Sequence, residues 1–312
     1  MKYTNIFWLS IFVIFSSFMN TIDSQWVDDS SIIRNFVVQS VAANNEFNFV
    51  GTQGNGIFRA PINTTDWVKI SKEELDEKSI TSLVVNDNII IAGTKTYGIW
   101  RTTNSGLIWT NTLLNKSVNT LLIKNNIVFA GLGSKGGVII STNYGVSFDN
   151  TSIIGRHGVR SLIKNELYIF AATEDPGIMK SSDNGDTWKN VNIDIGTYGI
   201  NTLAINGNFI YAGTAKHGIY YSPDIGKTWY KSNFDENSEI YSFAFNNCFV
   251  FAATRNKGVC VLDEYGKSIG NEYYDDPHGL DVYSFWIDNG FLFAGSSKTI
   301  KKRKLTYGPY VN

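Results

Sequence analysis

Short runs in which apolar and polar residues alternate recur along the chain after residue 30. Thr-Ser-Leu-Val-Val from Thr81 and Asn-Thr-Leu-Ala-Ile from Asn201 are two examples, and an Asn-containing turn and a second apolar run follow each. A period of two residues, with many Val, Ile and aromatic side chains, is typical of β-strands rather than of helices. The pattern predicts an all-β protein built from many short strands.

The strands belong to a repeat whose second apolar run ends in Ala-Gly-Thr or a close variant. The central small residue of this triplet recurs after 42, 38, 41, 41, 40 and 42 residues, at Gly51, Gly93, Gly131, Ala172, Gly213, Ala253 and Gly295. Each unit holds three or four strands, which is the content of a β-propeller blade. The sequence therefore predicts a seven-bladed β-propeller of four-stranded blades.

The last repeat lacks its outer strand, and an additional strand precedes the first repeat. Trp26 precedes Ser40 of the first unit by 14 residues, and Trp188 precedes Thr202 of the fifth unit by the same distance. An open ring would leave an exposed sheet edge. We therefore predict that the N-terminal strand around Trp26 pairs with the C-terminal blade and closes the ring.

A hydrophobic segment precedes the repeats. One Lys comes before an apolar run from Ile6 to Met19, and small polar residues follow that run. This is the layout of a secretory signal peptide, and the run is shorter than the roughly 20 apolar residues that span a bilayer. We interpret residues 1–24 as a cleaved signal and residues 25–312 as the propeller, with an uncleaved membrane anchor as the alternative. The interpretation predicts an extracellular or periplasmic protein that is not inserted in the membrane.

One turn recurs with the same residue types at the same offsets. Two copies are complete and consist of Ser181, Asp183, Gly185, Thr187 and Trp188, and of Ser222, Asp224, Gly226, Thr228 and Trp229. Two others are close and keep Asn104, Gly106 and Trp109, and Asn143 and Gly145. An Asx side chain fixes a tight turn by accepting backbone N–H groups, and Gly accepts positive φ. Because Asn replaces Asp in two copies, we expect a structural role for the turn, with its aromatic ring packed on a neighbouring sheet.

This turn resembles the Asp-box of BNR repeats, Ser/Thr-x-Asp-x-Gly-x-Thr-Trp. The Asp-box joins the third and fourth strands of blades in sialidases, sortilin-type receptors, some glucanases and photosystem II assembly factors. At the level of the repeat, the resemblance covers nearly the whole chain after residue 24. It implies a binding site on the face opposite these turns. It also implies either a binding or assembly scaffold, similar to the sortilin-like and assembly-factor proteins, or a glycan-active hydrolase.

The second residue of each inner strand occupies an equivalent place in all units. These residues are Gln39, Thr81, Asn119, Arg160, Asn201, Tyr241 and Tyr283. Equivalent positions converge in a toroid, so we expect a ring at the mouth of the central channel. Its amides, guanidinium and phenols suit a polar ligand or a partner's loop, and we assign ligand binding to Asn119, Arg160, Asn201, Tyr241 and Tyr283. The alternative is a lining that contacts only water. The ring contains no carboxylate pair, which most glycoside hydrolysis requires.

Charge and motifs narrow the function further. The formal net charge is −1, so no overall field favours nucleic acid or an anionic membrane. The sequence shows no phosphate-binding loop, nucleophile elbow or metal-ligand cluster, so we predict no cofactor and no metal. The favoured hypothesis is a secreted, monomeric, non-enzymatic scaffold for an unknown protein or glycan partner. A secreted glycoside hydrolase with a diverged site is the alternative.

The two cysteines are predicted to lie on neighbouring strands of one blade without forming a disulfide. Cys260 should oppose Ala252, four residues from Cys248, and that offset along a strand is too long for a disulfide. Glycosylation sequons occur at Asn63, Asn115 and Asn150 and matter only in a eukaryotic host.

Overall fold

The computed structural model describes residues 26–28, 32–113, 115–149, 157–175, 177–191, 199–234, 237–246, 249–255, 257–270, 281–288 and 290–305. These residues form seven antiparallel sheets, and their one helix, α1 (Glu73–Asp76), lies between the first two blades. The all-β, seven-bladed propeller is therefore confirmed. No helix among these residues is long and apolar enough to cross a bilayer, and the predicted signal lies outside them.

The strands follow one another from the inner to the outer edge of each blade. The first strand, β1, is Val27–Asp28. Blade 1 contains β2 to β5, which are Val38–Ala43, Phe47–Thr52, Ile57–Pro61 and Val68–Lys69. Blade 2 contains β6 to β9, which are Ile80–Asn86, Ile89–Thr94, Ile99–Thr102 and Thr110–Leu113. Blade 3 contains β10 to β12, which are Val118–Lys124, Ile127–Leu132 and Val138–Ser141.

The remaining blades repeat this order. Blade 4 contains β13 to β16, which are Val159–Lys164, Ile169–Thr173, Ile178–Ser181 and Lys189–Asn190. Blade 5 contains β17 to β20, which are Ile200–Asn206, Phe209–Thr214, Ile219–Ser222 and Tyr230–Lys231. Blade 6 contains β21 to β24, which are Ile240–Phe245, Val250–Thr254, Gly258–Leu262 and Ser268–Gly270. Blade 7 contains β25 to β27, which are Val282–Asp288, Phe291–Ser296 and Ile300–Lys304.

Blade 3 departs from the predicted four strands within the described residues. Its sheet has the three strands β10, β11 and β12, and the place of the fourth is marked by a single bridge between Ile140 and Asp149. The other blades each have four strands once β1 is counted with blade 7. The departure therefore affects only the outer edge of one blade.

The ring closes as the sequence predicts. Strand β1 is the outer strand of blade 7, where Val27 pairs with Lys302 and Asp28 with Lys301. The neighbouring Trp26 packs on the core cluster between blades 6 and 7. This borrowed strand covers the edge of β27, which would otherwise be open to pairing with another chain.

The small residue of the Ala-Gly-Thr triplet allows adjacent blades to approach closely. A Cβ atom on Gly213 would lie 2.6 Å from Cβ of Ile240, which begins the inner strand of the next blade. The same contact occurs where the ring closes, since a Cβ on Gly295 would lie 2.8 Å from Cγ1 of Val38. The recurrence of Gly or Ala at this position is thus a consequence of how the blades pack.

The four related turns share one hydrogen-bond pattern. In blade 4 the Ser181 hydroxyl accepts the Gly185 N–H at 2.8 Å, and the Asp183 carboxylate accepts the Thr187 N–H at 2.8 Å. In blade 3 the amide oxygen of Asn143 takes the place of the carboxylate and accepts the Ser147 N–H at 3.0 Å. The turn needs an oxygen acceptor at this position, and an amide supplies it as well as a carboxylate does.

The aromatic residues after these turns differ in burial. Trp229 is 6% exposed and its Nε1–H donates to the Val191 carbonyl of the preceding blade at 2.6 Å. Trp109 makes the same kind of bond to Ile70 of its preceding blade at 3.0 Å. Trp188 is only partly buried, and its Nε1–H donates to Gly185 within its own turn at 3.0 Å. The expected packing on a neighbouring sheet is seen for all three rings, whereas the bond to the preceding blade is made by Trp109 and Trp229 but not by Trp188.

The carboxyl groups of the two complete turns have lowered pKa values. Hydrogen bonds from the Thr187 hydroxyl and amide, followed by that from Ser181, lower the pKa of Asp183 to about 2. At Asp224 desolvation raises the pKa of the carboxyl, but the hydrogen bonds from Thr228, Ser222 and Lys227 together lower it below its ordinary value. A carboxyl whose pKa is lowered on folding adds stability above its unfolded pKa of about 4, and this stability is lost as the pH falls through the folded value.

We therefore expect the wild-type protein to lose stability between about pH 4 and pH 2. The Asp183→Asn/Asp224→Asn variant keeps the acceptor oxygen and should lose less over this interval. Urea-unfolding midpoints at several pH values would measure the difference. The matched control is Asp186→Asn, an exposed carboxylate of the same turn. Equal acid sensitivity of the double variant and the control would contradict the assignment.

Cys260 is a free thiol that pairs opposite Ala252 across the hairpin of blade 6, as predicted. Burial raises the pKa of this thiol to about 12, so it remains protonated at neutral pH. Cys248 and the sequon residue Asn150 lie outside the described residues.

Candidate functional site

Every inner strand carries an irregularity at the same residue. In β6, Ile80 pairs with Thr94 and Ser82 pairs with Gly93, so that Thr81 between them is left without a partner. The residues skipped in this way are Gln39, Thr81, Asn119, Arg160, Asn201, Tyr241 and Tyr283. A β-bulge of this kind redirects the extra side chain. The ring predicted from the sequence is thus the set of bulged residues, which simple alternation does not reveal.

The bulged side chains converge on one cavity at the centre of the propeller. All seven line it, together with the residues that follow them, and its volume is about 370 Å³. This volume lies within the usual range of small-ligand pockets. The predicted meeting of the ring residues is therefore observed, and it includes Asn119, Arg160, Asn201, Tyr241 and Tyr283.

A hydroxyl residue follows each bulged residue. These residues are Ser40, Ser82, Thr120, Ser161, Thr202, Ser242 and Ser284. The hydroxyls of Ser40, Ser82, Thr120, Ser161 and Ser284 bond to the next blade. Ser82 Oγ accepts the N–H of Leu121 in the next blade at 2.9 Å, and Ser161 Oγ accepts that of Leu203 at 3.1 Å. Sequence reasoning did not identify this belt, although a Ser or Thr after every ring residue is a visible signal. The belt holds the inner strands in place below the ring.

The ring and the repeated turns lie on opposite faces. The loop after the second strand contacts the start of the inner strand, as when Lys95 N–H donates to the Ser79 carbonyl at 3.1 Å. The turns instead meet the hairpins at the far end of the inner strands, as when Ser105 N–H donates to the Asn88 carbonyl at 3.1 Å. The face that carries the ring, hereafter the channel mouth, is therefore the one predicted.

A polar network crosses the channel mouth from blade 4 to blade 6. Arg160 Nη1 donates to Asn201 Oδ1 at 2.5 Å, and Asn201 Nδ2 donates to Glu239 Oε1 at 3.2 Å. The other oxygen of Glu239 accepts the Tyr241 hydroxyl and the Arg255 guanidinium, each at 3.2 Å. Both oxygens of this carboxylate are thus engaged, and they fix the positions of three neighbouring side chains.

Carboxylates surround the ring although the ring itself contains none. Glu239 and Asp281 lie two residues before Tyr241 and Tyr283, and Glu174 lies 3.8 Å from Arg160. Sequence reasoning identified neither Glu239 nor Asp281. The structure places them there, because the carbonyls of both residues accept N–H groups from the loops of the channel mouth. The channel mouth therefore contains carboxylates, although the ring does not.

The two ring tyrosines form a pair. The ring centroids of Tyr241 and Tyr283 are 5.2 Å apart with an interplanar angle of 42°. The Tyr283 hydroxyl donates to Asp281 at 3.1 Å, as that of Tyr241 does to Glu239. Desolvation, and then the nearby carboxylates, raise the pKa of both phenols. Both hydroxyls therefore remain protonated donors at neutral pH, and the pair offers an aromatic surface of fixed orientation.

The histidines do not form a metal site within the part of the chain that the structure describes. His157 and His217 are described, whereas His278 lies outside this part. No group of three or more His, Cys, Asp or Glu side chains among the described residues is arranged to hold a metal ion.

Comparisons with known proteins identify the fold but no family. No protein-family model and no curated protein matches this sequence. Many solved structures match its fold. YCF48 bound to D1 peptide superposes with a TM-score of 0.72 at 10% identity, over 94% of this chain and 98% of that chain.

Two further structures are similar in only a part of their length. The extracellular domain of the putative one component system BT4673 from B. thetaiotaomicron gives a TM-score of 0.73 at 15% identity, over 91% of this chain and 40% of that chain. The GH74 xyloglucanase from Xanthomonas campestris gives a TM-score of 0.69 at 13% identity, over 91% of this chain and 54% of that chain. At these identities the similarity establishes the propeller fold alone.

Proposed function

We propose that the protein is a secreted, non-enzymatic scaffold that binds a segment of a partner protein at the channel mouth. The observation that carries this proposal is the convergence of seven bulged side chains, one from each blade, on a single cavity. Their chemistry is that of recognition, because amides, a guanidinium and phenols hydrogen-bond and stack. The proposal includes secretion through the signal of residues 1–24 and a bracing role for the Asp-box-like turns.

The tyrosine pair is the expected anchor for the partner. Tyr241 and Tyr283 are partly exposed, and their hydroxyls are held by Glu239 and Asp281. Tyr and Arg are enriched among the residues that dominate binding energy at interfaces. Side chains that are already held in place lose less conformational entropy when a partner binds.

The similar structures bear on the choice of ligand. One neighbour that matches over 98% of its length is a propeller in complex with a peptide, which supports a protein segment as the ligand. A xyloglucanase is also among the neighbours, so hydrolysis is the competing function. Most glycosidases place two carboxyl groups on either side of the scissile bond. The engagement of both Glu239 oxygens by Asn201, Tyr241 and Arg255 favours an anchoring role over that chemistry.

The test uses the mature protein against a displayed library of random dodecapeptides, a glycan array and a panel of fluorogenic glycosides. We expect selected peptides to bind, and the Tyr241→Ala/Tyr283→Ala variant to bind them at least about tenfold more weakly, because hot-spot residues contribute more than about 1.4 kcal/mol. The matched control is Tyr265→Ala, an exposed tyrosine in the blade 6 turn on the opposite face. Turnover of a glycoside would overturn the proposal. Peptide binding that is weakened by Tyr265→Ala but not by Tyr241→Ala/Tyr283→Ala would also overturn it.

A further inference from the structure

A second cavity opens on the channel-mouth face between blades 5 and 6, with a volume of about 390 Å³. We call it the blade 5–6 cavity, and its lining consists of Ala215, Lys216, Asn237, Ser238, Glu239, Arg255 and Lys257. It adjoins the central cavity through Glu239, which also bonds to Asn201 and Tyr241 of the ring. A ligand seated at the channel mouth can therefore extend into it.

The charges of the blade 5–6 cavity favour an anion. Its lining has three cationic side chains, Lys216, Arg255 and Lys257, and one carboxylate, Glu239. That carboxylate already accepts hydrogen bonds from Arg255, Tyr241 and Asn201. Lys216 makes no ion pair within the described ranges, so its charge is not neutralised there. The excess of positive charge is local, because the whole chain carries a formal net charge of −1.

A buried hydroxyl in the same lining is a second, independent observation. Ser238 is 3% exposed, and its Oγ has no hydrogen-bond partner among the described residues. A buried polar group without a partner costs about 1–3 kcal/mol, so such groups are rare unless a ligand or water satisfies them. At the equivalent position, three residues before the ring residue, blades 1 to 4 have Phe36, Lys78, Lys116 and His157, none of which supplies a hydroxyl. A hydroxyl donor beside two lysines is the chemistry that an oxyanion requires.

We infer that the blade 5–6 cavity is an oxyanion site, in which Lys216, Lys257 and Ser238 hold a carboxylate or a phosphate. The cavity is donor-rich, since Asn237 and the guanidinium of Arg255 also line it. The identification of the anion as an acidic side chain of the partner segment rests on the proposed function. The anion site itself is independent of the proposed function. The binding energy is electrostatic in part and falls as the salt concentration rises.

The first experiment titrates ¹⁵N-labelled protein with inorganic phosphate and, separately, with acetate, and follows the amide resonances of Ser238 and Lys216. We expect saturable shifts with at least one anion. The Lys216→Gln/Lys257→Gln variant should lose them, whereas Lys267→Gln, an exposed lysine of the opposite face, should keep them. Ser238→Ala should weaken anion binding without lowering the melting temperature. Shifts that do not saturate, or that persist in the double lysine variant, would overturn the anion site.

The second experiment separates this inference from the proposed function. Dodecapeptides selected on the wild type should be enriched in Asp or Glu, and an acid-to-amide change in a selected peptide should weaken binding about tenfold. The same change should have no effect on the Lys216→Gln/Lys257→Gln variant. If peptides bind without any acidic preference, the partner's carboxylate is excluded while the proposed function stands. If no peptide binds but phosphate does, the proposed function fails while the anion site stands.

Discussion

The Trp229→Ala substitution is expected to lower the free energy of unfolding by about 3–5 kcal/mol, the range for buried aromatic residues. The indole is 6% exposed, packs in the core between blades 4 and 5, and donates to the Val191 carbonyl. Removal of the ring leaves a cavity and an acceptor without its donor. Urea unfolding followed by far-ultraviolet circular dichroism would measure the loss.

The matched comparison is Trp188→Ala in the preceding blade. Trp188 packs at the edge of the core cluster between blades 3 and 4, but it is partly exposed and its indole N–H donates to Gly185 of its own turn rather than to the neighbouring blade. Its removal should cost less than half as much, although both residues end the same sequence motif. Equal losses at the two positions would show that burial against the neighbouring blade does not set the contribution of this aromatic residue.

The Gly295→Val substitution is expected to cost about 3 kcal/mol, at the upper end of the range for overpacking. A Cβ atom alone would lie 2.5 Å from the Ser284 hydroxyl and 2.8 Å from Cγ1 of Val38. Because Val38 belongs to blade 1, the added methyl groups would push apart the two blades that close the ring. Thermal and urea unfolding of the variant would report the loss.

The control for closure is Gly213→Val, which overpacks the contact between blades 5 and 6 in the same way. A Cβ on Gly213 would lie 2.6 Å from Ile240. If the closing contact is equivalent to an internal one, the two variants should lose similar stability. The corresponding Ala variants should lose less, since blades 4 and 6 accommodate Ala172 and Ala253 at this position. An unchanged midpoint for Gly295→Val alone would mean that the first and last blades are not packed together in solution.

Because of the β-bulge in each inner strand, the residues that line the channel mouth differ from the residues that hold the blades together. The bulged residue has no ladder partner, so its identity is free to vary from Gln39 to Arg160 to Tyr283 without disturbing the sheet. The hydroxyl that follows it and the small residue opposite that hydroxyl carry the packing between blades. A site on such positions can change its ligand while the scaffold stays the same, which is why this fold serves several functions.

The periodic features of the sequence determined most of the architecture. Repeats of about 40 residues predicted seven blades, and the spacing of Trp26 from the first inner strand predicted closure by the N-terminal strand. The ring was predictable for the same reason, because equivalent positions in a closed array must converge. These features are repeated at every blade, so each copy reinforces the others.

Only the tertiary structure decided the features that depend on one particular pair of neighbours. Glu239 and Asp281 are unremarkable in the sequence, and they gain significance from the tyrosines beside them at the channel mouth. The different burial of Trp188 and Trp229 within the same motif, and the cluster of Lys216, Lys257 and Ser238, are also invisible in the repeat. The physical reason is that alternation and spacing fix which way a backbone runs. The contacts between side chains of different blades, by contrast, depend on distances that appear only when the ring has closed.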